Sequence, residues 1–309
     1  RRSMQGLEAA RALSEARGRD LIHSRFPEYE SRIAVGLAGH GSECFGFDDA
    51  VSTDHDFEPG FCLWVDDETD RAIGLALSRA YRELKTGAGA RSALAEQSRG
   101  VRRISDFYRR YTGGPGAPES WQAWLYLPSH ALAEASNGQV WRDDQGTFSA
   151  IRQQILTGMP EDVRKKRLAA KLITMAQAGQ YNYSRCLRHG QPGSAMLALT
   201  EFVNAACAAV FLLNRRHMPY YKWQFRAMEE LGIVGNMKDA LEFLLTGEND
   251  AAGQRLKAQA VEDIGAQVVG ELRRQKLTCG SWDYLEPHAH DLMEHIENPQ
   301  IRALHVMEE

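Results

Sequence analysis

The stretch Gly39-His40-Gly41-Ser42-Glu43-Cys44-Phe45-Gly46-Phe47-Asp48-Asp49-Ala50-Val51-Ser52-Thr53-Asp54-His55-Asp56, read with the apolar runs that flank it, decides the fold of this chain. Ahead of it lies Ile33-Ala34-Val35-Gly36-Leu37-Ala38, a short apolar run bounded by glycine that fits a buried strand. Behind it, Phe57 and Phe61-Cys62-Leu63-Trp64-Val65 suggest a second strand, bent at Pro59-Gly60. A Gly-Ser turn that opens a helix offers backbone N–H groups and a hydroxyl to a phosphate. Eleven residues separate Ser42 from Asp54. On a strand, positions i and i+2 share a face, so Asp54 and Asp56 point together and His55 points away. Two carboxylates held close together repel each other, and a divalent cation relieves the repulsion. Hard oxygen ligands favour Mg²⁺ or Mn²⁺.

Working outward, residues 6–24 are rich in Ala, Leu, Glu and Arg at helical spacing, and residues 68–84 return to the same periodicity. Lys85 to Gly100 reads as a loop, Val101-Arg102-Arg103-Ile104-Ser105 as a short third strand, and Asp106 to Tyr111 as a helix. Gly113-Gly114-Pro115-Gly116-Ala117-Pro118 is a strong breaker. Beyond about residue 150 strand signals vanish, and Val261, Ile264, Val268 and Leu272 show the helical step typical of that half. The expected architecture is α+β over residues 1–150, followed by an all-helical domain over 151–309.

Composition sets the outer bounds. At 309 residues the chain can bury roughly three-quarters of its unfolded surface without disulfide or metal staples. A hydrophobic content of 43% excludes disorder as a description of the whole chain. The net charge of −4 argues against a nucleic-acid coat protein, which shows a basic excess. Five scattered cysteines with no C-x-x-C pair point away from cysteine-held structural zinc and toward a reducing, cytoplasmic compartment. Arg1-Arg2-Ser3-Met4 is not the start of a secretory signal. The apolar stretch Leu197–Leu213 is broken by Glu201 and Asn204, so it reads as a buried helix and not a membrane span.

The Gly-Ser turn followed about a dozen residues later by Asp-x-Asp resembles the signature of the DNA polymerase beta-like nucleotidyltransferase superfamily. Residues 41–56 as a whole look closer to one little-characterised bacterial branch, similar in layout to the kanamycin and lincosamide nucleotidyltransferases. Gln180-Tyr181-Asn182-Tyr183-Ser184-Arg185 and Leu212-Leu213-Asn214-Arg215-Arg216-His217-Met218-Pro219-Tyr220-Tyr221-Lys222-Trp223 also look like that branch. The resemblance implies a small mixed-sheet nucleotidyltransferase domain, then a helical substrate-binding domain. It implies Asp54 and Asp56 as metal ligands, Gly41 and Ser42 as phosphate grips, and a third carboxylate from a neighbouring strand. The strand Val101–Ser105 departs from this pattern, carrying Arg102 and Arg103 instead; Glu96 and Asp106 flank it.

In the helical half, a wheel projection puts Glu201, Asn204, Ala205, Ala208, Leu212 and Arg215 on one side. Glu201 reads either as the general base that the resemblance implies or as one half of an ion pair with Arg185 or Arg215. Lys222, set among aromatic residues, reads either as a phosphate ligand or as a stem snorkelling from an interdomain core plug. Asn182 and Arg185, three apart, share a helix face and offer polar contacts to a triphosphate. The basic runs Arg99/Arg102/Arg103/Arg109/Arg110 and Arg164/Lys165/Lys166/Arg167/Lys171 read first as solvated helix faces, and His288, His290, Asp291 and His295 as a surface helix.

The resulting expectation is a Mg²⁺-dependent nucleotidyltransferase (Mn²⁺ being the alternative ion). It binds ATP or another nucleoside triphosphate and moves a nucleoside monophosphate, AMP in the leading form, to a hydroxyl of a small-molecule acceptor. The rival is a non-catalytic nucleotide-binding or protein-interaction module of the same fold. Neither reading involves a membrane, and acceptor, base preference and oligomeric state stay open.

Overall fold

The computed structural model describes residues 6–49, 59–84 and 98–309. It divides into two units: one comprises the chain up to Glu119 together with His130–Gly158, the other Ser120–Ser129 together with Met159–Glu309. The chain therefore leaves the first unit, contributes ten residues to the second, returns, and leaves again. The helix Thr147–Thr157 spans the position at which the sequence alone suggested a division.

The first unit opens with α1 (Gly6–Leu13), a π-helical turn at Ser14–Gly18, and α2 (Arg19–Arg25). Strand β1 (Ile33–Leu37) follows, then the four-residue helix α3 (Ser42–Phe45), β2 (Cys62–Val65), α4 (Asp67–Glu83), β3 (Gly100–Arg103) and α5 (Ile104–Thr112). After the excursion through α6 (Trp121–Tyr126) come α7 (Ser129–Ser136), β4 (Gln139–Arg142) and α8 (Thr147–Thr157). The chain is thus α+β, with the three strands expected from the apolar runs and a fourth that the pattern did not reveal.

The four strands form one mixed sheet in the order β3-β2-β1-β4. β2 and β4 flank β1 antiparallel, whereas β3 runs parallel to β2. Ala34 pairs with Trp64 and Val35 with Leu63, so alternate residues feed two different cores. Ile33, Val35, Leu63 and Val65 pack with Leu21, Ile22, Phe26, Leu77 and Tyr81 from α2 and α4. On the opposite face Trp64 stacks on Phe148 of α8 at 3.8 Å and meets Phe107 of α5 edge-on at 5.7 Å. Burial on both faces explains why β1 reads as a continuous apolar run with no polar alternation.

The second unit is helical: α6, α9 (Glu161–Thr174), a π-helical segment Met175–Asn182, α10 (Tyr183–Arg188), α11 (Pro192–Leu213), α12 (Tyr221–Met228), α13 (Lys238–Thr246), α14 (Ala251–Arg274), α15 (Leu285–Glu294) and the short α16 (Pro299–Arg302). Its centre is α11. At 22 residues this helix is long and apolar enough to cross a bilayer by length and composition, which the interrupted sequence pattern did not suggest. It is instead packed inside the unit, with 67% of its most apolar window buried. Backbone approaches are close there: a Cβ on Gly179 would lie 2.2 Å from the Phe202 ring.

The basic run on α9 is not a solvated face. Arg164, Lys166 and Arg167 are all buried. Arg167 donates to the carbonyls of Trp124, Leu125 and Leu127 at the end of α6. Arg164 donates to the Leu212 carbonyl at 3.2 Å and to Gln275 at 3.0 Å, and Gln275 in turn donates to the Leu213 carbonyl. Lys166 reaches the carbonyls of Val306 and Glu308. These cations satisfy carbonyls that helix ends and chain turns leave without intrahelical donors. Glu161 neutralises Arg164 and binds Arg215 as well, each at 2.5 Å.

Two outcomes follow from this packing. Gly179→Ala, a change that by helix propensity alone would stabilise by roughly 1 kcal/mol, is expected to destabilise by about 1–3 kcal/mol through overpacking against Phe202. A urea titration reads the loss, and Phe202→Leu in the same chain should recover part of it. Burial works against the Glu161 carboxylate, but hydrogen bonds from Arg164 and Arg215 outweigh it and hold the group down at about 2 against an ordinary 4.5. The stabilisation is therefore complete above pH 4.5 and is lost as pH falls toward 2. Thermal melts of the native chain should show an acid-dependent loss across that window, diminished in Glu161→Gln.

Candidate functional site

The Gly-Ser turn lies directly after β1. Gly39 and Gly41 hold φ values of 109° and 120°, a region that side-chain-bearing residues rarely enter. Asn137, in the link between α7 and β4, clamps Gly39 from both sides: its Oδ1 accepts from the Gly39 N–H and its Nδ2 donates to the Gly39 carbonyl, each at 2.8 Å. The Tyr111 hydroxyl lies 3.0 Å from the point where a Gly39 Cβ would stand. The turn then enters α3 at Ser42, which is half-buried.

Arg99 supports the turn from beneath. This guanidinium is 8% exposed. It donates to the His40 carbonyl at 3.0 Å, to Glu43 Oε1 at 2.5 Å and to the Ser98 carbonyl at 3.0 Å, and lies 3.3 Å from the Cys44 sulfur. Cys44 is buried, which pushes its thiol far above the ordinary range and leaves it a neutral packing group. The expected solvated role for Arg99 is corrected: it is a buried strut that fixes the chain on either side of Gly41.

Above the turn is a cavity of about 440 Å³. Ala38, Gly39 and His40 form one wall, Ser98 and Arg102 a second, and Asp106, Phe107, Arg110 and Tyr111 a third. Pleat alternation separates the two arginines of β3. Arg102 lines the cavity, while Arg103 turns to Asp106 at 2.8 Å and Asp70 at 3.9 Å. The Arg110 guanidinium lies 5.7 Å from the Tyr111 ring centre, and His40 Nδ1 lies 3.5 Å from Glu134. Burial, with Glu134 adding to it, pushes the Tyr111 phenol well above its ordinary range, so it is a neutral hydrogen-bonding group. Among the described residues the lining carries two arginines, Arg102 and Arg110, against one aspartate, Asp106, a balance complementary to an anion.

The remaining expected site residues are distributed as follows. Asp54, Asp56 and the flanking Glu96 lie outside the described residues. Glu201 stands exposed on α11 and has no ion pair among the described residues. The ion-pair reading fails because both expected partners are engaged: Arg215 binds Glu161, and Arg185 donates to the Tyr181 hydroxyl at 2.9 Å. Lys222 is exposed on α12, and Tyr220 and Tyr221 beside it are 50% and 64% exposed. Asn204 and Gln224 join α11 to α12 at 3.3 Å, so Glu201 and Lys222 occupy neighbouring helices. Asn182 and Arg185 are exposed around the start of α10. His288 is buried, contrary to the surface-helix reading, while His290 and His295 are exposed.

From sequence alone His40 has no assigned role, and Arg102 and Arg110 read as surface charge. Spacing carried no signal for them: Arg102 on a strand and Arg110 in the next helix line the cavity because β3 runs parallel to β2 and α5 follows it directly.

Residues 124–224 match a family model described as a domain of unknown function, DUF4037. That span contains Asn182, Arg185, Glu201 and Lys222 and ends before α13. No curated protein and no solved structure matches the chain.

Replacing Arg99 by methionine removes the charge that faces Glu43 and leaves the His40 carbonyl with only the weak Cys44 thiol donor. The expected cost is about 3 kcal/mol, the scale for breaking one side of a buried pair. Guanidinium titration measures it, and Glu43→Gln in the Arg99→Met background should restore part of the loss.

Proposed function

We propose that this chain is a Mg²⁺-dependent nucleotidyltransferase that moves a nucleoside monophosphate, AMP from ATP in the leading form, onto a hydroxyl of a small-molecule acceptor. The observation that carries the reading is the clamped Gly39–Ser42 turn opening beside a cavity lined by His40, Arg102 and Arg110. Backbone N–H groups and a hydroxyl at the turn, with guanidinium groups opposite, supply the charge that a triphosphate requires. The Asp54-x-Asp56 pair precedes β2 in sequence, and Cys62 of that strand pairs with Gly36 near the end of β1.

Under this reading Asp54 and Asp56 hold the ion, Mg²⁺ or Mn²⁺, whose bound form lowers the barrier to attack at the α-phosphate. An all-oxygen, paired-carboxylate donor set fits such an ion. Gly41 and Ser42 grip the β- and γ-phosphates, and Arg102 and Arg110 offset the charge on the departing pyrophosphate. Glu201 accepts the proton of the acceptor hydroxyl, while Asn182, Arg185 and Lys222 contribute polar and cationic contacts. The exposure of Glu201 suits a residue that must meet an incoming substrate. The five free cysteines accord with a reducing, cytoplasmic setting.

One observation favours a second reading. Along Gly100–Arg103, β3 carries two arginines and no carboxylate where the superfamily resemblance would add a third acid. A module that binds the nucleotide without turning it over fits that feature. Melting temperature against ATP with Mg²⁺, followed by pyrophosphate release across acceptor pools, separates the two. Turnover that falls at least about 100-fold in Asp54→Ala/Asp56→Ala and weaker ATP binding in Arg110→Ala are expected for the enzyme. Binding with no pyrophosphate from any acceptor identifies the module, and metal-dependent binding unchanged by the double aspartate variant overturns the metal assignment.

A further inference from the structure

Toward the end of its sequence the second unit carries a further set of side chains. Cys279 lies in the loop after α14, Asp291 on α15, and His295 at the end of α15. Asp291 and His295 are four apart, hence one turn apart on one helix face. The Cys279 sulfur, a carboxylate oxygen of Asp291 and a ring nitrogen of His295 all lie within 4.8 Å of one another. We propose that Cys279, Asp291 and His295 form a binding site for a borderline-soft divalent cation, Zn²⁺ by the character of its donors.

The distances suit such an ion. Cys279 Sγ lies 3.6 Å from Asp291 Oδ2. Tetrahedral zinc, with bonds of about 2.3 Å to sulfur and about 2.0–2.2 Å to oxygen, sets those two atoms roughly 3.5 Å apart. His295 Nδ1 lies 3.9 Å from Asp291 Oδ1, within a small ring movement of the same geometry. One thiolate, one imidazole and one carboxylate select Zn²⁺ over Mg²⁺, which prefers an all-oxygen octahedron.

The carboxylate is held in place before any ion arrives. Asp291 Oδ2 accepts from the Thr278 hydroxyl at 2.8 Å and from the Cys279 N–H at 3.0 Å. Thr278 Oγ1 is 2.8 Å from Nδ1 of the fully buried His288, whose Nε2 meets the Trp282 carbonyl at 2.7 Å. Such supporting bonds orient a ligand and raise affinity. In the metal-free chain His295 Nδ1 donates to the Asp291 carbonyl at 2.7 Å, a bond it exchanges for the ion as it gives up that proton. Three protein ligands leave a fourth position open. A cavity of about 500 Å³ walled by Trp282, Tyr284, His290 and Glu294 shares Asp291 with the cluster.

Co²⁺ titrated into the metal-free full chain tests the site, because thiolate coordination gives a near-ultraviolet charge-transfer band that oxygen ligands do not. One Co²⁺ per chain with that band is expected, displaced by stoichiometric Zn²⁺ and not by excess Mg²⁺. Cys279→Ser should abolish the band, and His295→Gln should weaken binding at least about tenfold. Both residues are exposed, so the metal-free melting temperatures of the variants should equal that of the native chain. Zn²⁺ should raise melting in the native chain and not in Cys279→Ser. The band should persist in Asp54→Ala/Asp56→Ala, which keeps this test separate from the nucleotidyltransferase reading. Absence of a thiolate band, its survival in Cys279→Ser, or displacement by Mg²⁺ overturns the proposal.

Discussion

Cationic side chains that end inside the protein, on backbone carbonyls, organise both units. An ammonium or guanidinium withdrawn from water without acceptors is costly, so its placement dictates which backbone groups must converge on it. On α9, three such cations within four residues each seek a different set of carbonyls. Arg167 takes the end of α6, Arg164 the end of α11, and Lys166 the residues near 306 and 308. One helix thereby fixes the ends of its neighbours, and the apolar contacts of α11 fill the space so defined. Arg99 performs the same task in the first unit, where it holds the His40 and Ser98 carbonyls and a carboxylate together beneath the glycine turn.

Those cations are also what the sequence concealed most effectively. Arg164-Lys165-Lys166-Arg167 has the composition of a solvated face, yet three of the four are buried and the half-buried Lys165 donates to the His295 carbonyl at 3.0 Å. Periodicity reports which residues share a side of a helix; it says nothing of whether carbonyl groups from distant segments wait on that side. The apolar runs were different. Ile33–Leu37 and Cys62–Val65 are strands because they carry β-branched or aromatic residues between turn residues, and that logic is local. Gln139–Arg142 escaped notice since its four residues alternate weakly and acquire strand character from pairing with β1.

The site was legible in part for a related reason. Gly39, Gly41 and Ser42 announce themselves, because few backbones other than a tight turn require that spacing of glycine and hydroxyl. The wall opposite was not legible. Arg102 and Arg110 face the turn only because β3 lies parallel to β2 and α5 follows it directly, a fact of topology and not of spacing. In the helical half the resemblance named Asn182, Arg185, Glu201 and Lys222, all of them exposed, and the arginines expected to pair with Glu201 bind Glu161 and Tyr181 instead.

The Asn137 clamp on Gly39 has a consequence for the order of events in folding. The two residues are 98 positions apart, and β4, which joins β1 immediately afterwards, is equally remote. Closing so long a loop is slow and its entropy must be met before the contacts reward it. As the chain emerges from the ribosome, β1, β2 and β3 are available to pair early, yet the turn after β1 has no partner until residue 137 has been made. The first unit therefore completes its sheet only after α6 has been synthesised for the second. The glycine turn is among the last parts to acquire its final conformation.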